Sequence, residues 1–145
     1  MNLETLFTIL NMAVLPFWLL IMVAPRWEWT RRLTHSVIIA VVYAPIYLWL
    51  LATGSGGEGD FSSLAGVGAL FSRPEALLAG WVHYLVFDLF VGAWISRDAV
   101  RRDIHQLIVL PCLVLTLMVG PIGLGVYAVV RGAMRRTDTL VEVEA

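Results

Sequence analysis

His83 and Asp88 stand five residues apart in an otherwise apolar stretch, Gly80 to Gly92. An imidazole and a carboxylate held away from water can take and give protons as general base and acid. A carboxylate in hydrocarbon must pair with a cation or carry a proton, and no arginine lies in that run. On a helix the two side chains are separated by about 7.5 Å along the axis and about 140° around it, so they cannot face one point squarely. Tyr84 and Asp88, four apart, share a face where the phenol can hydrogen-bond the carboxylate. The same groups could equally tie one helix to the next and do no chemistry.

Other polar residues fall at similar depth in their own apolar runs: Asn11, Tyr43 and Thr116. Tyr43, Tyr47, Trp81, Tyr84 and Phe87, with Thr116, form a candidate substrate wall, joined by the aromatic residues Trp49 and Phe90. Aromatic residues at helical spacing also serve ordinary packing. A second polar group gathers Asp98, Asp103 and His105 with Arg97, Arg101 and Arg102, which the sequence places in a short interfacial connection. Asn11, Asp98 and His105 are therefore supporting polar residues. His83, Asp88, Asp98 and His105 offer metal-ligand types, but about 15 Å of helix separates Asp88 from Asp98, and no metal site is expected.

These side chains need a membrane to give them meaning. The chain has 145 residues, is 59% hydrophobic and only 14% charged, where soluble domains carry about 25% charged residues. Four apolar runs, Leu6 to Ala24, Leu33 to Ala52, Ala76 to Ile95 and Ile108 to Val130, each approach the roughly 20 residues that cross a bilayer. The expectation is an all-α integral membrane bundle of four transmembrane helices over residues 1–136. A Gly-rich loop joins helices two and three, and a polar tail, 137–145, follows. That loop, Thr53 to Pro74, holds half of the 12 glycines, and its apolar half, Leu64 to Phe71, is a candidate lid. Pro111, Gly120, Pro121, Gly123 and Gly125 would kink the fourth helix and open a cavity.

Composition also excludes. All ten basic residues are arginine, so no lysine is available for a Schiff base. A net charge of -1 gives no reason to expect nucleic acid, and the single Cys112 permits no internal disulfide. No cofactor is implied. Arg26, Arg31 and Arg32 between the first two runs, and Arg97, Arg101 and Arg102 between the last two, set six arginines against four. By the positive-inside rule both termini then lie outside, with Trp27, Trp29 and Trp94 at the arginine-bearing interface. The first run carries neither a preceding basic residue nor a cleavage site, and the N-terminus is unlike a transit peptide. Together these give an expectation of a bacterial inner, or photosynthetic, membrane.

The run Trp81-Val82-His83, followed after four residues by Asp88-Leu89-Phe90, resembles the family of the plant abscisic-acid-deficient protein 4, as do Asp98, His105 and Gly120-Pro121-Ile122-Gly123. Pro25-Arg26-Trp27 adds to the likeness. The resemblance covers most of the chain and implies a small membrane protein of xanthophyll conversion, in which a violaxanthin epoxide opens to the allenic alcohol of neoxanthin. That chemistry needs a general acid and a general base in a dry, elongated cavity and no redox cofactor, and His83 and Asp88 match it. The implied partners are membrane lipid and a carotenoid or other polyisoprenoid. The alternative is a noncatalytic subunit that binds pigment or lipid within a pigment-protein complex or a homo-oligomer.

Overall fold

A computed structural model describes residues 2–54 and 59–135, and every regular element among them is an α-helix: α1 Leu3–Val23, α2 Glu28–Thr34, α3 Ile38–Gly54, α4 Leu64–Leu70, α5 Pro74–Arg101, α6 Gln106–Val119 and α7 Pro121–Arg135. The all-α reading holds. Three stretches are long and apolar enough to cross a membrane: Leu3–Val23, Glu28–Gly54 taken through its break at 35–37, and Pro74–Arg101.

The expected fourth span is corrected, because Ile108 to Val130 is divided between α6 and α7. Gly120 turns the chain at φ +39°, a backbone region that glycine enters without steric cost, and Pro121, which has no N–H to leave unsatisfied, opens α7. The 14 residues of α6 rise only about 21 Å, short of a bilayer core of about 30 Å. The two helices fold against each other closely: a Cβ at Gly123 would collide with the backbone N of Thr116 and stand 2.6 Å from the carbonyl of Cys112.

Both open ends of this hairpin are tied at one level. Gln106, at the start of α6, donates to the carbonyls of Ile21 (3.1 Å) and Met22 (2.9 Å) at the end of α1. Arg131, in the last turns of α7, reaches Asp98 in the last turn of α5. Arg131 thus stands on the face that carries Arg26, Arg31, Arg32, Arg97, Arg101 and Arg102. The six-to-four count is corrected accordingly, and with it the expected outside position of the end of α7, which lies on the arginine-rich face.

Two further boundaries move. The third span continues to Arg101, so Asp98 belongs to α5 and not to a connection. Of the Gly-rich segment, Gly54 closes α3 and Leu64–Leu70 form α4, capped by Ser63, whose hydroxyl accepts from the N–H of Gly66 at 3.0 Å. Residues 55–58 and the tail 137–145 lie outside the described residues.

The chain divides into two compact units, one of residues 1–14 with 37–86, the other of residues 15–36 with the chain from 87 onward. In the first, Leu6, Leu10 and Val14 of α1, Tyr43 and Leu50 of α3 and Leu78, Val82 and Leu85 of α5 are buried. In the second, Trp18, Ile21, Ile95, Leu113 and Tyr127 are buried, and Gly92 lets Trp18 approach so closely that a Cβ would meet its ring at 2.6 Å. Outward faces are equally apolar: Phe7, Ile9 and Met12 in the first unit and Leu19, Phe87 and Phe90 in the second are exposed. Helices apolar on all sides belong in lipid.

Candidate functional site

In the first unit, α3, α4 and α5 enclose a half-open cavity of about 400 Å³. Its walls are Tyr47, Leu51 and Gly54 of α3, Phe61, Leu70 and Phe71 from α4 and its flanks, and Ala76, Gly80 and His83 of α5. Glycines let its walls approach one another closely: a Cβ on Gly80 would stand 2.6 Å from the Phe71 ring, and one on Gly54 would stand 2.8 Å from the backbone of Ala76. The polar lining comes from the imidazole of His83 and the phenol of Tyr47, whose rings are 6.2 Å apart. A proton acceptor and a hydroxyl donor therefore share an apolar wall.

The approach to α4 is fixed by Asp60. Its Oδ1 accepts from the N–H and the hydroxyl of Ser62, both at 2.7 Å, and these bonds hold its carboxyl below the ordinary carboxylate range. Gly66 admits this turn, since a Cβ there would meet Oδ1 at 2.5 Å.

The remaining first-unit candidates form a separate chain of contacts. The Tyr43 hydroxyl donates to the Leu10 carbonyl at 2.9 Å and is buried. Asn11 donates to Phe7 O at 2.7 Å and accepts from Trp81 Nε1 at 3.0 Å. Trp81 stacks on Tyr84 at 5.1 Å and lines a second, smaller hollow with Phe7, Leu77 and Pro74. So of the expected substrate wall, Tyr47 lines the cavity beside the acid-base candidate His83, while Trp81 and Tyr84 form the neighbouring stack.

The second unit holds Asp88 and Asp98 of α5. Asp88 lies against the α6–α7 turn, where a Cβ on Gly120 would come within 2.8 Å of its Oδ1. Thr116, nearby in the sequence of α6, is buried and donates to the Cys112 carbonyl at 2.8 Å. Phe87 is exposed. Asp98 is wholly buried and fully engaged. Arg102 Nε meets both of its oxygens at 2.9 and 3.0 Å, Arg131 Nε stands 2.7 Å from Oδ2, and the Tyr127 hydroxyl donates to Oδ2 at 2.8 Å. Trp94 closes the cluster, with the Arg131 guanidinium 5.6 Å from its ring centre and Tyr127 edge-on at 5.7 Å. His105 caps α6, its Nδ1 accepting from Leu107 N–H at 3.3 Å. Among the described residues no three His, Cys, Asp or Glu side chains gather as a metal site.

Sequence reasoning missed Leu51, Phe61, Ala76 and Gly80 as lining residues, while Leu70 and Phe71 fall in the stretch expected as a candidate lid. One signal was available: Ala76 and Gly80 precede His83 as a small-x-x-x-small pair, which lets a neighbour approach or leaves a hollow.

A family profile described as ABA DEFICIENT 4-like matches residues 5–127. The chain belongs to that family. It is also 31% identical over 111 residues to Protein ABA DEFICIENT 4, chloroplastic, of Arabidopsis thaliana, an alignment covering 70% of this chain. The chain spans about half the length of that relative. No solved structure matches it. The bacterial membrane expected from the sequence is corrected by this relative, a chloroplast protein of a plant. Within the family match lie both the cavity around His83 and the Asp98 cluster up to Tyr127.

Proposed function

We propose that the chain binds a carotenoid in a chloroplast-type membrane and rearranges it by acid-base chemistry, as a neoxanthin-synthase-like isomerase. The observation that carries this reading is the His83 imidazole on the wall of an apolar, half-open cavity. A volume of about 400 Å³ lies in the range of small-molecule sites. It suits a cyclic end group, while the open side leaves the polyene to run along the lipid-facing helices.

The end group is where an epoxycarotenoid reacts. A proton is delivered to the epoxide oxygen, the C–O bond breaks, and a vinylic proton is taken up by a base, leaving an allene and an alcohol with no net oxidation. His83 serves as the base, the Tyr47 phenol gives its proton to the oxygen, and the proton taken up by His83 restores the phenol, so no proton is gained or lost. Asp88, five residues further along α5, is the second acid-base candidate.

The test is conversion by purified protein in liposomes loaded with an epoxycarotenoid such as violaxanthin. Wild type should form the allenic product. His83→Ala should lose at least about a hundredfold of the rate while retaining bound carotenoid, and Asp88→Asn should also lower the rate. Product formation by His83→Ala at the wild-type rate would remove His83 from the chemistry. Bound carotenoid without conversion by wild type would leave a noncatalytic pigment-binding protein.

A further inference from the structure

The cavity of the first unit is built as a ladder. α3 contributes Tyr47, Leu51 and Gly54 and α5 contributes Ala76, Gly80 and His83, each set spaced to form one stripe along its helix. The two helices run in opposite directions. The Tyr47 and His83 rings face each other at 6.2 Å, while Gly54 meets Ala76 so closely that a Cβ on the glycine would stand 2.8 Å from the Ala76 backbone N. Leu51 and Gly80 form the rung between. From Ala76 to His83 the slot is about 10 Å deep, pinched at its Gly54 end and polar at the other.

Phe71 sits at the middle rung. Its Cε1 would stand 2.6 Å and its Cζ 3.3 Å from a Cβ on Gly80, so the edge of the ring rests on the α5 backbone one helical turn from His83. The backbone behind the ring is held on both sides. The Phe71 N–H donates to the Val67 carbonyl at 3.1 Å and closes α4. Two residues on, the Arg73 guanidinium donates to the Thr53 carbonyl, near the end of α3, at 3.3 Å. A ring anchored in this way stands between the pinched end of the slot and its polar rung.

We infer that Phe71 is the residue that sizes this cavity, setting how deep a cyclic end group sits and therefore which of its atoms meets His83 and Tyr47. Gly80 belongs to the same device, because a residue without a Cβ leaves the ring its seat on α5. The inference rests on the carotenoid reading of the cavity. It makes the slot a discriminator of end-group shape: narrowing the middle rung shuts out a methylated ring before it shuts out a slender linear end.

The test uses the full chain in mild detergent, stripped of pigment and loaded with β-carotene or lycopene. The two hydrocarbons differ in having cyclic or linear ends, and neither carries an epoxide, so retention is read without turnover. Retained carotenoid is measured by absorbance and folding by Tm. Gly80→Ala drives the Phe71 ring into the slot and should lower β-carotene retention about tenfold, with little change for lycopene. Phe71→Trp narrows the same rung from the α4 side and gives the same reading if Gly80→Ala fails to fold. Adding Phe71→Ala to Gly80→Ala should restore β-carotene retention. Phe71→Ala alone should retain both hydrocarbons and, on an epoxycarotenoid, lower kcat with little change in KM.

Equal loss of the two carotenoids in Gly80→Ala and Phe71→Trp, or no recovery in the double variant, would overturn Phe71 as the sizing residue and leave the carotenoid reading standing. Retention of neither hydrocarbon by the wild type would overturn that reading, and the sizing of its site with it.

Discussion

Two polar groups on α5 have been given opposite surroundings. His83 opens onto a cavity whose other walls are apolar or phenolic, whereas Asp98 is sealed, its two oxygens occupied by Arg102, Arg131 and Tyr127. A carboxylate so completely satisfied has no lone pair to offer a substrate, and its removal would take a buried counter-charge from two guanidinium groups. The imidazole faces space that a ligand can enter. The buried ionic cluster ties α5 to α7, whereas the accessible ring is the one the proposed reaction uses as its base.

That contrast breaks first at Asp98. Asp98→Ala should cost about 3–5 kcal/mol, since truncating one partner leaves buried charge uncompensated. The check is thermal unfolding in detergent, with Asp98→Leu combined with Arg131→Met expected to recover much of the loss. Filling the cavity should do the reverse. Leu51→Trp, at a partly exposed wall position, should reduce carotenoid retention about tenfold, or about 1.4 kcal/mol, with little change in Tm. Tyr43→Phe removes one buried hydrogen bond, to Leu10, and should cost about 1 kcal/mol by thermal unfolding. Smallest of all is Arg26→Gln, which breaks an exposed pair with Asp103 whose side chains are 56% and 92% accessible. It should cost less than about 0.5 kcal/mol in thermal unfolding at low ionic strength, and nothing measurable in high salt.

The helical class, the membrane setting and the family were legible in the residues, because apolar run length and the Trp-Val-His/Asp-Leu-Phe pattern are local signals. What depended on tertiary geometry was not. Run length could not distinguish one kinked span from a hairpin at Gly120, since both need the same apolar composition. Asp98 read as a loop residue because its partners Tyr127 and Arg131 lie about thirty positions away. The i, i+4 spacing of Tyr127 and Arg131 on an apolar helix was the sign that a carboxylate had to meet them. His83 and Tyr47 were both selected by residue type, but Leu51, Phe61 and Ala76 were not, because an isolated apolar residue looks the same in a wall as in a core.

The hairpin of α6 and α7 bears on how the chain enters its membrane. Each helix is shorter than a bilayer core is thick, and the Gly120 turn would expose backbone polar groups to hydrocarbon if it met lipid directly. A segment of that kind gains little from being threaded across ahead of its supports. Its two ends are tied to residues of α1 and α5, through Gln106 to Ile21 and Met22 and through Arg131 to Asp98. The hairpin is therefore held from the arginine-rich side, by groups that α1 and α5 have to present to it.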